Sequence, residues 1–336
     1  MEGYMPQEPE IGSLSSISLA TQIICIAALT FFVALRYVAK LKLKLVFWYD
    51  DVFCAIAYVF YMAHCACSLI FTYLAGPISS DNPMTSHQME IKYKVFYIGA
   101  FFYVPMILFT KLTLLFLLLR IFHPHVEKAK YVYIFVVLVT AYYIAIFFVK
   151  IFICSPIQAY WQDWQADKWE DRCLNRPAVI LADSGISVVT DVAILIFPIA
   201  LTWSLNMPVT KKLGVISILG AGCIAVAFSL YRLVLVALDF ETPQQVSLIL
   251  KILLTDNAEG GLGLICTCLP AFNKFVHHLL RRRRDSRNSS GGSERRQMNS
   301  SEDRIVKDSR LKDSRRGSSI LEGSVMNATP MVLSDV

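Results

Sequence analysis

The sequence predicts an all-α membrane protein, a bundle of seven transmembrane helices with its N-terminus outside and its C-terminus in the cytosol. Hydrophobic residues make up 55% of the 336 residues, and charged residues only 17%. The apolar residues lie in runs of about 23 residues or more, long enough to cross a bilayer. Because unpaired backbone amides are costly in lipid and the runs lack the alternation of barrel strands, they predict helices. The runs are Ile17–Ala39, Val52–Ala75, Val95–Phe122, Tyr131–Ile153, Ala178–Leu205, Leu213–Leu238 and Val246–Phe272.

Basic residues indicate the orientation of these spans. Positively charged loops remain in the cytosol, and such residues cluster at the end of the first run and directly after the last. Residues 1–16 are acidic or neutral, which does not predict a signal peptide, and we expect them outside the cell. We expect a multi-pass protein of the plasma membrane, with another endomembrane as the alternative. The basic residues are Arg36, Lys40, Lys42, Lys44 and Arg281–Arg284.

The chain therefore divides into an extracellular N-terminus (1–16), a membrane domain (17–280) and a cytosolic tail (281–336). The tail is rich in Ser, Arg, Gly and Asn and has few aromatic residues, which predicts disorder. Its basic residues favour contact with anionic lipid, and the arginines before Ser318 and Ser319 resemble a basophilic kinase site. A merely solvated tail with a stop-transfer cluster is the alternative. We expect no nucleic-acid partner.

The stretch Lys111–Phe122, KLTLLFLLLRIF, places a lysine deep inside the third run. Arg120 lies where the membrane boundary is expected, so Lys111 lies about 13 Å further in, near the bilayer midplane. A lysine at that depth costs several kcal/mol unless it faces protein and finds a counter-charge. The sequence therefore predicts that other helices supply an acid to Lys111.

The last three runs supply the remaining buried charges. Asp191 and Glu259 are expected at the depth of Lys111, whereas Asp183, Arg232 and Lys251 are expected nearer the outside. Lys251, Thr255 and Glu259 recur every fourth residue and share one helix face. Buried ionisable groups are functional candidates, so we predict a polar core or a pocket for an unidentified small ligand. Its candidate residues are Lys111, Asp183, Asp191, Arg232, Lys251, Asp256 and Glu259.

Two aspartates precede the second run, in the segment Trp48-Tyr49-Asp50-Asp51. They are typical of a helix N-terminus, where acids cap the first turn and complement the helix dipole. The alternative is a cytosolic switch in which Asp51 pairs with Arg120. In the same run, His64 is expected to form an interhelical hydrogen bond, and we predict no metal site.

The longest outward loop contains Cys154, Cys173 and three tryptophans, Trp161, Trp164 and Trp169. An oxidising environment favours a disulfide, worth about 2–4 kcal/mol, with two free thiols as the alternative. Tryptophans beside a span usually anchor at the lipid interface. The alternative is an aromatic lid over an outward cavity.

Glycines and prolines mark positions inside three of the runs. Pro105 and Pro198 are expected to kink their helices, with neighbouring helices satisfying the freed backbone groups. The segment Gly260-Gly261-Leu262-Gly263 predicts close approach of another helix in the last span, which is expected to end near Pro270.

Several short motifs in order resemble the fungal rhodopsin-domain integral membrane proteins, also called the satratoxin-cluster membrane protein family, relatives of fungal seven-helix receptor-like proteins. The resemblance covers roughly residues 20–280. It implies seven helices, a plasma-membrane or other endomembrane setting and no catalytic activity. Some relatives are encoded among secondary-metabolite genes, which implies a supporting role in such a pathway. The motif residues are Trp48, Asp50, Asp51, Lys111, Thr113, Arg120, Phe122, Cys154, Pro156, Trp161, Cys173, Asp191, Pro198, Lys211, Lys212, Gly220, Arg232, Glu259, Cys268 and Pro270.

These observations favour a receptor-like protein that binds a small ligand and meets a cytosolic signalling partner. The alternative is a transporter or proton-coupled carrier of a small metabolite, for which inverted repeats would be expected. We expect no enzyme, because the sequence lacks nucleophile elbows, clustered histidine ligands and phosphate-binding glycine loops. We also expect no cofactor: a retinal protein needs a lysine near the middle of its last helix, and Lys251 lies only about 8 Å from the outer end.

Overall fold

The computed structural model describes residues 8–75, 86–122, 126–162, 172–203, 209–239 and 246–281, together with residues 304 and 307. Over these ranges the protein is helical and has no β-sheet, and eight helices are numbered here. The helices are α1 (Glu8–Lys42), α2 (Tyr49–Ala75), α3 (Ser86–Phe122), α4 (Val126–Ile151), α5 (Ala159–Gln162), α6 (Arg176–Trp203), α7 (Val209–Asp239) and α8 (246–281).

Six of these helices, α1 to α4, α6 and α7, are long and apolar enough to cross a membrane. Large apolar side chains on them are widely exposed, among them Phe31, Val59, Val137 and Val189, each more than 60% exposed. So many exposed apolar groups are typical of surfaces that face lipid. The protein is therefore a multi-pass membrane protein, as the apolar runs predicted.

The seventh predicted span corresponds to α8, which is not among the six. Three charged residues, Lys251, Asp256 and Glu259, lie in its first half. Most of residues 248–268 are buried by protein, and Leu250 and Leu264 are completely so. The charges of α8 therefore lie in a helix that is covered largely by the rest of the bundle.

The glycines of α8 explain how closely it packs. A methyl group added at Gly260 would lie 2.6 Å from Met106 Cε of α3, and one at Gly263 would lie 2.7 Å from Thr110 Cγ2. At Gly261 the nearest atom would be the Tyr61 hydroxyl of α2, at 3.0 Å. The predicted close approach is therefore confirmed, and the neighbours are α2 and α3.

The main hydrophobic cluster joins the first four helices to α8. It contains Leu29 of α1, Tyr61 of α2, Met106 of α3, Tyr143 of α4 and Leu264 of α8. Packing of this kind holds α3 between its neighbours, so the side chains of α3 at the depth of Lys111 face protein.

Some predicted boundaries differ from the structure. Helix α3 begins at Ser86, nine positions before Val95, because its first turns are polar and extend past the apolar run. Pro105 and Pro198 both lie inside continuous helices. Pro270 does not end α8, which remains helical to residue 281.

The structure divides into two compact units, Met1–Phe275 and Val276–Val336. The first unit contains every site described below. Of the second, residues 276–281 complete α8, and Arg304 and Lys307 are the other described residues. The predicted phosphorylation sites Ser318 and Ser319 lie outside the described residues.

Candidate functional site

Lys111 of α3 points into the protein and is 2% exposed. Its Nζ lies 2.8 Å from Asp191 Oδ1 of α6 and donates to Thr190 Oγ1 at 2.6 Å. It also donates to the hydroxyl and the carbonyl of Ser187, each at 3.0 Å. The counter-charge that the sequence required is therefore Asp191, and hydroxyl groups of the same helix complete the site.

Ser187 connects Lys111 to the acid of α8. Its hydroxyl donates to Glu259 Oε1 at 2.6 Å while it accepts from Lys111. Sequence reasoning missed Ser187 because a serine in a membrane helix usually bonds its own backbone and carries no distinctive signal. Its spacing of four residues before Asp191, on the same helix face, is the one signal that could have identified it.

Arg232 of α7 joins the same network from the other side. Its Nη1 lies 2.7 Å from Asp256 Oδ1 and 3.1 Å from Glu259 Oε2, and it also donates to the Tyr103 hydroxyl. Tyr103 in turn donates to Glu259 Oε2 at 3.2 Å. We call the set Asp191, Lys111, Ser187, Glu259, Arg232 and Asp256 the polar network; it links α3, α6, α7 and α8.

Two predicted members lie outside this network. Asp183 pairs with Lys150 of α4, at 2.6 Å. Lys150, which was not among the candidates, lies in the last turn of its helix. Lys251 is half-buried and makes no contact with the polar network, because the network uses the helix face of Asp256 and Glu259. Lys251 is therefore a predicted pocket residue that the structure does not bring into the polar network.

A disulfide joins Cys154 and Cys173, which confirms the predicted bond. Backbone hydrogen bonds flank it, from Ser155 N to Arg172 O (2.9 Å) and from Leu174 N to Ile153 O (2.8 Å). The peptide bond between Ser155 and Pro156 is cis. The covalent bond and these hydrogen bonds hold the end of α4 beside the start of α6.

Trp161 packs against Tyr97, with ring centroids 5.8 Å apart, and Lys94 Nζ lies 5.4 Å from its ring. It thus contacts α3. Trp164 and Trp169 lie outside the described residues, so the predicted three-tryptophan lid stays a prediction.

Beside this disulfide lies a cavity lined by Lys150, Tyr160, Arg176, Asp183, Arg232 and Asp256, which we call the loop cavity. It offers about 60 Å³ to the centres of water molecules, room for about four to six of them. The Arg176 guanidinium lies 4.5 Å from the centre of the Tyr160 ring. Burial raises the pKa of Tyr160 to about 12, so its hydroxyl stays protonated at neutral pH.

A second cavity, the core cavity, is lined by Lys111, Asp191, Pro198, Gly222, Glu259 and Cys266. It offers about 50 Å³ to the centres of water molecules. Glu259 lines this cavity and contacts Arg232, which lines the loop cavity. The polar network therefore lies between the two cavities.

His64 contributes to the loop cavity from α2. Its Nδ1 lies 3.0 Å from the Gly99 carbonyl oxygen of α3, to which it donates. This is the interhelical hydrogen bond that the sequence predicted.

A second ionic cluster, the inner cluster, lies at the other end of α3. Asp51 accepts from the Trp48 backbone N–H at 3.1 Å, which is the predicted capping contact. It also pairs with Arg36 at 3.0 Å and with Lys40. Arg120 pairs with Asp50, at 3.4 Å, and not with Asp51 as the switch hypothesis required.

Arg36 extends the inner cluster to a fourth helix. Its guanidinium pairs with Asp50 at 2.7 Å and donates to the Thr267 carbonyl of α8. Arg120 also stacks over Trp48, with Cζ 5.7 Å from the ring centre. Asp50, Arg120 and Arg36 thus connect α1, α2, α3 and α8.

Comparison with known proteins gives two matches. Residues 35–278 match the fungal rhodopsin domain family, a range that begins beside Arg36 and ends beyond Pro270. The chain is also similar to a SAT4 family membrane protein of Emericella nidulans, with 31% identity over 178 residues. That match covers 52% of this chain and 44% of the relative's length. No solved structure matches the chain. Since the family match extends over well more than half of the residues, the chain belongs to the fungal rhodopsin domain family.

Proposed function

We propose that this protein is a receptor-like seven-helix membrane protein that binds a small ligand in the loop cavity. The observation that carries the proposal is the lining of that cavity, where five charged side chains and several aromatic rings surround a space at one end of the bundle. Binding pockets are mostly apolar with a few convergent polar groups. Buried charges inside membrane helices mark such sites more often than they mark structure alone.

In this proposal α8 is the seventh span. Its charges do not prevent this, because Asp256 and Glu259 both pair with Arg232 and the helix is largely covered by its neighbours. Seven spans place the loop cavity outside, together with the disulfide, which is typical of an oxidising compartment. They place the inner cluster and the tail in the cytosol, in agreement with the basic residues there.

The contacts offer a route from ligand to cytosol. Helix α3 carries Tyr103 at the loop cavity and Arg120 in the inner cluster, and α8 carries Asp256 and Thr267 at the corresponding ends. A ligand that binds Arg232 would alter its pairing with the acids of α8 and shift α8 relative to α3. Such a ligand favours whichever arrangement binds it better. A cytosolic partner would recognise the inner cluster in that arrangement.

We place the protein in the plasma membrane and assign it no enzymatic activity. A supporting role in a secondary-metabolite pathway is part of the same proposal and rests on the family resemblance. Covalent retinal is not part of it, because among the described carboxylates none pairs with Lys251.

A cavity-filling substitution tests the proposal. Ala100 lines the loop cavity, so Ala100→Trp should fill it and abolish ligand responses without removing a charge. The matched control is Ala34→Trp on the exposed side of α1. A deletion strain should differ from its parent in transcripts and metabolite profile, and wild type and Ala34→Trp should restore both.

The Ala100→Trp protein should reach the membrane in the same amount and fail to restore either. Full restoration by Ala100→Trp would contradict ligand binding in the loop cavity.

One observation favours a second function, that of a proton-coupled carrier. The polar network separates the two cavities, and an alternating rearrangement of Arg232 and Glu259 would pass a proton or metabolite between them. Proteoliposomes that contain a pH-sensitive dye distinguish the two functions. A carrier produces substrate-dependent proton flux that Glu259→Gln abolishes, whereas a receptor produces none.

A further inference from the structure

Arg232 uses only part of its guanidinium. Its Nη1 makes all of the contacts with Asp256, Glu259 and Tyr103. Its Nε and Nη2 have no hydrogen-bond partner among the residues that the structure describes, although the side chain is only 3% exposed. Buried donors without partners are costly, and a bound group commonly explains them.

The unused part of Arg232 has a distinctive shape. In the planar guanidinium, the N–H groups of Nε and Nη2 are parallel and form one edge. This edge matches the two oxygens of a carboxylate in a bidentate arrangement. The acids of α8 do not occupy it, because both bind Nη1.

A second unpartnered polar atom belongs to the same cavity. His64 is 1% exposed, and its Nε2 has no partner among the described residues. Because Nδ1 donates to the Gly99 carbonyl, the neutral ring presents Nε2 as an acceptor. Two residues that line the loop cavity thus carry a paired donor edge and a separate acceptor, both without partners among the described residues.

The remaining walls are apolar and aromatic, with Phe96, Phe101, Phe147, Ile252 and Leu253 among the lining residues. Such walls favour a hydrophobic ligand body over a fully hydrated anion. The cavity also has three basic lining residues, Lys150, Arg176 and Arg232, against two acidic ones, Asp183 and Asp256. A ligand with a single negative charge is therefore favoured over a dianion.

We propose that the loop cavity binds a small monocarboxylic acid with an apolar or aromatic body, whose carboxylate pairs with the Nε and Nη2 edge of Arg232. This rests on the proposed ligand-binding function and specifies its ligand class. The aromatic rings contact the body of the acid. Asp256 and Glu259 hold the Nη1 group of Arg232 in place.

Benzoate and its neutral counterpart benzamide test this inference on the full-length protein in lipid nanodiscs. We expect benzoate to bind at least about tenfold more tightly than benzamide, the difference that one charge-assisted bidentate contact supports. Isothermal titration calorimetry and the shift of the protein's melting temperature measure binding, with empty nanodiscs as the blank.

Arg232→Lys keeps a positive charge for Asp256 and Glu259 but removes the paired edge. It should lower benzoate affinity by about tenfold and leave benzamide binding unchanged. The matched control is Arg36→Lys, the same change at another buried arginine that binds two carboxylates, far from the cavity. It should leave benzoate affinity unchanged.

Several results would overturn the inference. The inference is wrong if the wild type binds benzoate and benzamide with equal affinity, or if inorganic phosphate occupies the site as strongly as benzoate does. It is also wrong if benzoate does not bind at millimolar concentrations. The first comparison needs no variant, so it holds even if Arg232→Lys does not fold. Benzoate binding without any transcript response would instead refute the receptor proposal alone. If Ala100→Trp abolished the transcript response but the wild type did not prefer benzoate to benzamide, this inference alone would be refuted.

Discussion

Replacing Lys111 by methionine removes the cation at the centre of the polar network while keeping most of the side-chain volume. Asp191 would remain buried, because its side chain is only 14% exposed, and Glu259 would lose the serine that Lys111 holds in place. The substitution therefore leaves a largely buried carboxylate without its counter-charge.

The structure sets the size of the effect. Removing one partner of a buried ion pair costs about 3–5 kcal/mol. Asp191 keeps one hydrogen bond, from the Ser229 hydroxyl at 2.7 Å, and has partial access to the core cavity. The expected loss for Lys111→Met is thus near the lower limit, about 3 kcal/mol.

Reversible unfolding in mixed detergent micelles, followed by circular dichroism, measures this loss. The double variant Lys111→Met/Asp191→Asn carries no unpaired charge and should recover most of the stability. Lys42→Met, an exposed lysine at the end of α1, is the matched control and should change the free energy of unfolding by less than about 0.5 kcal/mol. If Lys111→Met behaved like Lys42→Met, or if the double variant were less stable than both single ones, the ion-pair argument would be refuted.

Two further predictions concern packing and the disulfide. Gly263→Ala places a methyl group 2.7 Å from Thr110 Cγ2 and should cost about 1–3 kcal/mol, whereas Gly220→Ala meets no atom within 4 Å and should be neutral or slightly stabilising; equal melting temperatures would contradict the close contact. Cys154→Ser opens a bridge between residues 19 positions apart and should lower stability by about 2–4 kcal/mol. Reductant should lower the melting temperature of the wild type and leave that of the variant unchanged.

Much of the fold follows from local physics. An apolar run in lipid must form a helix because its backbone has no other hydrogen-bond partners. Two cysteines in an outward loop, or three glycines in one helix turn, likewise carry information that does not depend on which helices are neighbours. The disulfide and the close packing of α8 were predictable for that reason.

The pairing of charges was less predictable, because it depends on how each helix is rotated and which helix lies beside it. Asp183 was predicted as a candidate without an assigned partner, and Lys150 of α4, which was not a candidate, reaches it. The alternative interpretation of Asp51 paired it with Arg120, yet Arg120 pairs with the adjacent Asp50. Consecutive residues on a helix point about 100° apart, so an error of a single position changes which residue faces the neighbouring helix.

The polar network also depends on a residue without a sequence signal. Ser187 joins the polar network only because α6 places it between Lys111 and Glu259.

By itself the sequence determined that this chain is helical, lies in a membrane and needs an acid near Lys111, since each of these follows from the cost of placing peptide groups or a charge in hydrocarbon. Only the tertiary structure decided that Asp191 is that acid. It alone showed that Arg232 Nε and Nη2 have no hydrogen-bond partner among the described residues, because contacts between distant helices depend on packing that no local pattern encodes.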